Sequence, residues 1–355
     1  MTHPKISIIW LNHNSIKILP LVLQSLESIA NLDYPSDRYE LIAVDNGSTD
    51  GSFERIREFL EKRTGLRKKI IRLSENLGFA GGNNVGFRVR DRESKYVVLV
   101  NNDCIVFDHG AKLYVEVLES FPYLGAAQGV VLKLGARDID SRGIYLSDLL
   151  IPFGFPKSSK EILSGKVFLC SAVEGTFPIF RVDALLKAFN DERVFDELLY
   201  GFGEDVFTSI LLWRAGYETA FITKAVARHR RGATWSSPME PFLLTRNYLA
   251  MTQMFSEKHK QTLRTLLLIR VALVNMLRKN TKMRGKYMLR GLADSQRLLK
   301  KLTQRYNELE LPQQMPLIRI PIKRTVIGIA TPRALQAYAE QAIIRNLEKW
   351  VIGRI

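Results

Sequence analysis

The sequence predicts an α/β protein, a mostly parallel sheet flanked by helices, followed by a basic helical C-terminal region. Three observations predict it. Short apolar runs ending in Asn or Asp alternate with stretches of helical periodicity over the first hundred residues, the pattern of β-α-β units. An apolar fraction of 46% is ample for a globular core. The net charge of +16 is confined to the end of the chain: residues 1–240 carry 30 basic and 30 acidic side chains, residues 241–355 carry 22 and 6.

Residues 6–12 read as a first buried strand, closed by Asn12 with His13 and Asn14 behind it. Leu19, Val22, Leu23, Leu26 and Ile29 share one helical face. A second strand over 39–44 runs into the turn formers of 45–51, where Ser48, Thr49 or Asp50 is placed to cap a helix over 53–60. A short third strand covers 70–73, and a glycine-rich segment over 76–86 holds Asn76, Asn83 and Asn84. Residues 96–100 are all apolar, as in a strand buried on both faces, and the run stops at Asn101, Asn102 and Asp103. Ligands of open α/β sheets gather at the carboxyl ends of strands. Asn12, Asp45, Asn76 and Asp103 would therefore converge on one rim. A carboxylate there suits Mg²⁺ or Mn²⁺, whose other positions go to substrate phosphate and water. Taken singly, each of these residues reads equally as a turn residue or a cap.

Three stretches carry a resemblance: Asp45-Asn46-Gly47-Ser48-Thr49-Asp50-Gly51, Glu75-Asn76-Leu77-Gly78-Phe79-Ala80-Gly81-Gly82-Asn83-Asn84, and Leu99-Val100-Asn101-Asn102-Asp103. In order and spacing they resemble the family 2 inverting glycosyltransferases with the GT-A (Rossmann-like) fold, most closely the rhamnosyltransferase-like branch. The resemblance covers about residues 5–255, which sets an expected catalytic domain at 1–255 and a basic amphipathic helical region at 256–355. It implies a nucleotide-sugar donor, dTDP-rhamnose-like or a UDP-sugar. Asp45 would contact the base, Asn12 and Asn14 the nucleotide, Asn83 and Asn84 would lie in a loop beside ribose and sugar, and Asn76 would join them in binding the nucleotide-sugar. Asn102 and Asp103 would stand for the metal motif, although Asn101 and Asn102 replace carboxylates common in the family.

Further on, residues 111–120 read as a helix, 124–132 as a strand and 135–166 as a long insertion with no readable function. Residues 173–181 resemble the segment that enters the acceptor half. Glu204 and Asp205 open a helix, where acidic residues also serve as dipole partners. By resemblance they are the acceptor-side catalytic pair, Asp205 taking the proton of the acceptor hydroxyl. The run His229-x-x-Gly232-x-x-Trp235 resembles the segment whose histidine completes the metal site with Asp103. The flanking Arg228, Arg230 and Arg231 suit either a departing diphosphate or an exposed basic loop.

Residues 263–277 are apolar but broken by Arg264 and Arg270, and shorter than the ~20 residues a membrane-spanning helix needs. The basic residues that follow, mixed with Leu, Met and Tyr, fit helices on an anionic membrane surface or helices packed on the catalytic domain. A last helix is expected over 332–351. No leader is seen at the start, and Cys104 and Cys170 form no metal or disulfide pattern. The expected protein is thus a cytoplasmic, metal-dependent glycosyltransferase, peripheral on the cytosolic face of the membrane. Its acceptor would be a glycan or lipid-linked. A sugar-nucleotide nucleotidyltransferase would need a glycine-rich basic loop after the first strand, which His13-Asn14-Ser15 is not. A basic nucleic-acid-binding protein would leave the neutral N-terminal body without a purpose, and no nucleic-acid motif is present.

Overall fold

The computed structural model describes residues 3–230, 239–307, 309–321, 323–325 and 331–355. Its strands are β1 Ile6–Asn12, β2 Tyr39–Asp45, β3 Lys68–Arg72, β4 Tyr96–Asn101, β5 Cys104–Val106, β6 Leu124–Lys133, β7 Ile139–Ser141, β8 Ile144–Ser147, β9 Pro152–Gly154, β10 Lys166–Leu169, β11 Pro178–Arg181, β12 Glu218–His229, β13 Leu317–Ile318 and β14 Val351–Arg354. The helices are α1 Leu19–Ala30, α2 Ser52–Glu61, α3 Gly78–Arg88, α4 Gly110–Ser120, α5 Val182–Phe189, α6 Glu204–Arg214, α7 Met239–Phe255, α8 Lys258–Leu277, α9 Lys282–Tyr306 and α10 Pro332–Trp350.

The main sheet runs β14-β10-β12-β6-β11-β4-β1-β2-β3, with β5 beside β12 and β7 beside β6. Strands β3, β2, β1 and β4 are parallel throughout. Then β11 runs antiparallel to both β4 and β6, so β6, and β12 parallel to it, regain the direction of β4. The reversal makes this half of the sheet mixed. It also brings the end of β12 to the same rim as the ends of β1, β2 and β4. Both faces are buried: along β1, Ile8 and Trp10 enter one core and Ile9 the other, and along β4, Val98 and Val100 oppose Val97 and Leu99. Burial on two sides is why these strands read as unbroken apolar runs.

The glycine-rich segment expected as a loop is helix α3. Its glycines are packing residues. A Cβ at Gly82 would come within 2.5 Å of Leu11 Cδ1, and one at Gly86 within 2.6 Å of Ile9 Cγ2. The bare face of the helix therefore lies directly on β1. At the start of α2, Asp50 rather than Ser48 or Thr49 meets the helix, accepting from the Ser52 N–H at 3.0 Å.

The insertion adds β7 to the main sheet and forms a β8–β9 hairpin, which β13 from the C-terminal region joins as a third strand. Leu249, Leu268, Ala272 and Met288 pack α7, α8 and α9 together. Leu298, Leu302, Leu335, Ile343 and Leu347 enter the same core as Phe195, Phe207 and Met251. The final helix stops at Trp350, and β14 then pairs with β10 at the sheet edge. Among the described residues no helix is long and apolar enough to cross a membrane.

Candidate active site

Asn12 organises the rim. The register sets it opposite Asp45. Its Nδ2 donates to Asp45 Oδ1 at 2.8 Å, and its Oδ1 accepts from Asn102 Nδ2 at 3.0 Å. Asp45 also accepts from the Ser48 N–H at 3.0 Å and the Ser48 hydroxyl at 2.6 Å. Three strand ends are thus joined by buried polar groups that satisfy one another. Asn46 continues the network: its Nδ2 donates to Asn76 Oδ1 at 3.0 Å and to the Gly78 carbonyl at 2.9 Å.

A second cluster forms where β5 pairs with β12, Cys104 opposite His229, which sets the neighbouring Asp103 against the imidazole. His229 Nε2 is 3.0 Å from Asp103 Oδ1, and Nδ1 is 2.7 Å from Asp140 Oδ2. Burial alone would favour the neutral ring. The hydrogen bonds to the two carboxylates overcome it and raise the pKa to about 9. Among the described residues no group of three or more His, Cys, Asp or Glu side chains forms a metal shell.

The third cluster opens α6. Asp205 Oδ2 accepts from the Gly175 N–H at 3.0 Å, and Oδ1 from the Val206 N–H at 2.7 Å. Burial raises its pKa to about 6; the Gly175 bond works against the rise and the charge of Glu174 adds to it. Glu204 Oε2 is buried with no hydrogen-bond partner among the described residues. Burial, then the charge of Asp205, drives the Glu204 carboxyl well above the usual range.

The turn before this pair is strained, with Tyr200 and Phe202 both at φ 65°. Helix α7 holds it. Asn247 Nδ2 lies 2.9, 2.9 and 2.8 Å from the carbonyls of Leu199, Gly201 and Phe202, and Arg246 Nη2 donates to those of Leu198 and Leu199 at 3.1 and 3.0 Å. Beneath it, the fully buried Asp196 accepts from Arg305 at 2.8 Å and from the Tyr306 hydroxyl at 2.5 Å.

The three clusters share one cleft of about 650 Å³. Of the expected site residues, Asn12, Asn76, Asn102, Asp103, Glu204, Asp205 and His229 line it. Asp45 lies behind Asn12. Asn14 Oδ1 accepts from the Thr49 N–H at 2.8 Å, outside the cleft lining. Asn83 and Asn84 stand in α3 rather than in a loop, because the packing of the glycines on β1 makes the segment helical. Asn83 donates to the Phe79 carbonyl at 2.8 Å. Asn84 ties α3 to the segment before α6 through the Val194 N–H at 2.9 Å and the Phe195 carbonyl at 2.8 Å. Arg228 turns to the Ala136 carbonyl at 3.3 Å. Arg231, Gly232 and Trp235 lie outside the described residues. Sequence reasoning missed Asn46, Asp140, Arg142, Glu174 and Tyr248, all of which line the cleft. The signal for Asn46 was its place directly after Asp45 at a strand end. The insertion offered none for Asp140 or Arg142.

An α/β sheet whose carboxyl rim gathers amides, carboxylates and an imidazole into one cleft has its polar groups where open α/β folds bind ligands. Residues 7–185 match the family model of glycosyl transferase family 2, and the chain belongs to that family. Three solved structures share its fold. S. aureus TarS aligns at a TM-score of 0.55 and 17% identity, over 95% of this chain and 55% of that one. TarS 1–349 in complex with UDP-GlcNAc aligns at 0.55 and 17%, over 97% and 92%. GalNAc-T7 with UDP, GalNAc and Mn²⁺ aligns at 0.58 and 13%, over 86% and 59%. At these identities the likeness is one of fold, and this chain spans about half the length of TarS. No curated protein matches the sequence.

Proposed function

We propose that this chain is an inverting glycosyltransferase that moves a sugar from a nucleotide-sugar donor to a hydroxyl of a glycan or lipid-linked acceptor. One observation carries the reading: in a family 2 chain, the Asp103–His229 pair and the Glu204–Asp205 pair line the same cleft. The nucleotide lies against the amides of the rim, Asn12, Asn76 and Asn102, while Asn14, Asp45, Asn83 and Asn84 hold the walls behind it. The motif resemblance favours a dTDP-rhamnose-like donor or a UDP-sugar.

Asp103 and His229 fit a divalent cation, Mg²⁺ or Mn²⁺. A carboxylate and an imidazole stand 3.0 Å apart, and Asp140 sits on the other ring nitrogen, the arrangement that orients a ligating histidine. Donor diphosphate and water would supply the remaining positions. When bound, the cation offsets the charge of the departing diphosphate. GalNAc-T7, which shares the fold, was solved with Mn²⁺. Asp205 is the base. The Gly175 N–H holds its Oδ2, and burial keeps its proton affinity high enough to take a hydroxyl proton. The acceptor oxygen bonds to the anomeric carbon as the carbon–diphosphate bond breaks, and the proton passes to Asp205. One displacement inverts the centre.

Asp205→Asn is expected to lower transfer by roughly 10²-fold or more while nucleoside diphosphates still raise the melting temperature. Transfer at the wild-type rate removes Asp205 from this role.

The catalytic part is assigned to residues 1–255, and residues 256–355 to the cytosolic face of an anionic membrane. Exposed Leu266, Leu273, Leu277 and Met283 stand beside exposed Arg278, Lys279 and Lys282, which supports that placement.

A further inference from the structure

Six carboxylates line the cleft, those of Asp103, Asp140, Glu174, Glu204, Asp205 and Glu240. Among the described residues the lining holds one guanidinium, that of Arg142. It stands on the insertion between β7 and β8, and its side chain lies along Gly154 of β9. A Cβ at Gly154 would come within 2.5 Å of Arg142 Nε, so the glycine is what leaves room for the guanidinium. The side chain is partly buried, and burial pulls its pKa down, with the charges of Glu340, Glu174 and Asp138 acting the other way. Even so, the guanidinium makes no hydrogen bond or ion pair with any described residue. Several other arginines here are engaged, although the buried Arg264 leaves its Nε without a partner among the described residues. Arg181 donates to the Leu124 and Leu118 carbonyls, Arg193 pairs with Asp191 and Glu197, and Arg246 holds the strained turn.

A partly buried cation that lines a cleft with its donors open is placed to meet an anionic ligand. The planar fork of arginine matches phosphate oxygens. We propose that Arg142 is the anion-recognition residue of the acceptor half of the cleft, and that the acceptor carries a phosphate group close to the hydroxyl that receives the sugar. The donor diphosphate is already provided for at Asp103 and His229. The amides assigned to the nucleotide come from β1 and the segments after β3 and β4. Arg142 instead shares its wall with Phe153 and Gly154 of the insertion. The proposal rests on reading the cleft as a glycosyltransferase site.

The test uses the full chain and the variants Arg142→Gln and Arg142→Lys. A panel of nucleoside diphosphates with Mn²⁺ is first screened by thermal shift. With the most stabilising one saturating, binding of glucose 1-phosphate and of glucose is measured by calorimetry. The wild type is expected to prefer the phosphate-bearing probe by about tenfold or more. Arg142→Gln should lose that preference and Arg142→Lys keep part of it, with nucleoside diphosphate binding intact in both. No preference in the wild type overturns the proposal, as does an unchanged preference in Arg142→Gln. Weakened nucleoside diphosphate binding in Arg142→Gln overturns it too, by moving the guanidinium to the donor. If no nucleoside diphosphate binds the wild type, the glycosyltransferase reading fails, and it fails in the screen rather than in the probe arm.

Discussion

Asp205 is the residue through which pH acts on the proposed chemistry. Its folded pKa is raised by burial to about 6 from the ordinary aspartate value of 3.8. A base must be ionised, so kcat/KM should climb with pH up to about 6 and level off above it. Stability responds in the opposite sense. The fold favours the protonated carboxyl, so this contribution is fully present below 3.8 and is lost as pH rises through about 6. A limb at or below pH 4 in the kcat/KM profile would contradict the buried base. Asp103, Asp205 and His229 were legible in the sequence because each sits in an ordered motif. Asp140 was not. It reaches His229 only because β7 pairs with β6, Leu132 opposite Ile139, while β6 sets Lys133 opposite His229. A contact made by register two strands away leaves no mark on local spacing.

At the scale of elements, the strained turn before α6 depends on α7. Asn247→Ala leaves the carbonyls of Leu199, Gly201 and Phe202 without their amide donor. The expected loss is about 1–3 kcal/mol of stability, measured by urea unfolding, with a fall in kcat larger than any rise in donor KM. Unchanged kcat would show that the turn positions Asp205 without Asn247. Elements were legible where burial is symmetric, as in β1, β2 and β4. Helix α3 was not, because its glycines argue against a helix by propensity and only their contact with Leu11 and Ile9 reverses the balance. Strand β14 was hidden differently. Its four residues follow α10 without a break, and only the open edge of β10 makes them a strand.

At the scale of the whole molecule, the charge asymmetry was plain in the sequence, but the intimacy of the basic region with the rest was not. Leu335, Ile343 and Leu347 share a core with Phe195 and Phe207, and such long-range packing has no signature in composition. The exposed basic and apolar residues around the α8–α9 turn yield a prediction. The protein should float with phosphatidylglycerol vesicles at low salt and not with neutral ones, and high salt should release it. Replacing Lys279, Lys282 and Lys286 by Glu should abolish flotation, since each cation near an anionic surface is worth about 1 kcal/mol. No flotation of the wild type at low salt would retire the membrane assignment. The small sheet formed by β13, β8 and β9 bears on engineering. It weaves one thread of the C-terminal region into the insertion that carries Arg142, and Tyr145 of β8 stacks on Trp350 at 5.1 Å. A chimera that transplants the insertion from a relative to change acceptor choice would orphan Leu317, Ile318 and Trp350, so the donor of such a graft must contribute both pieces together.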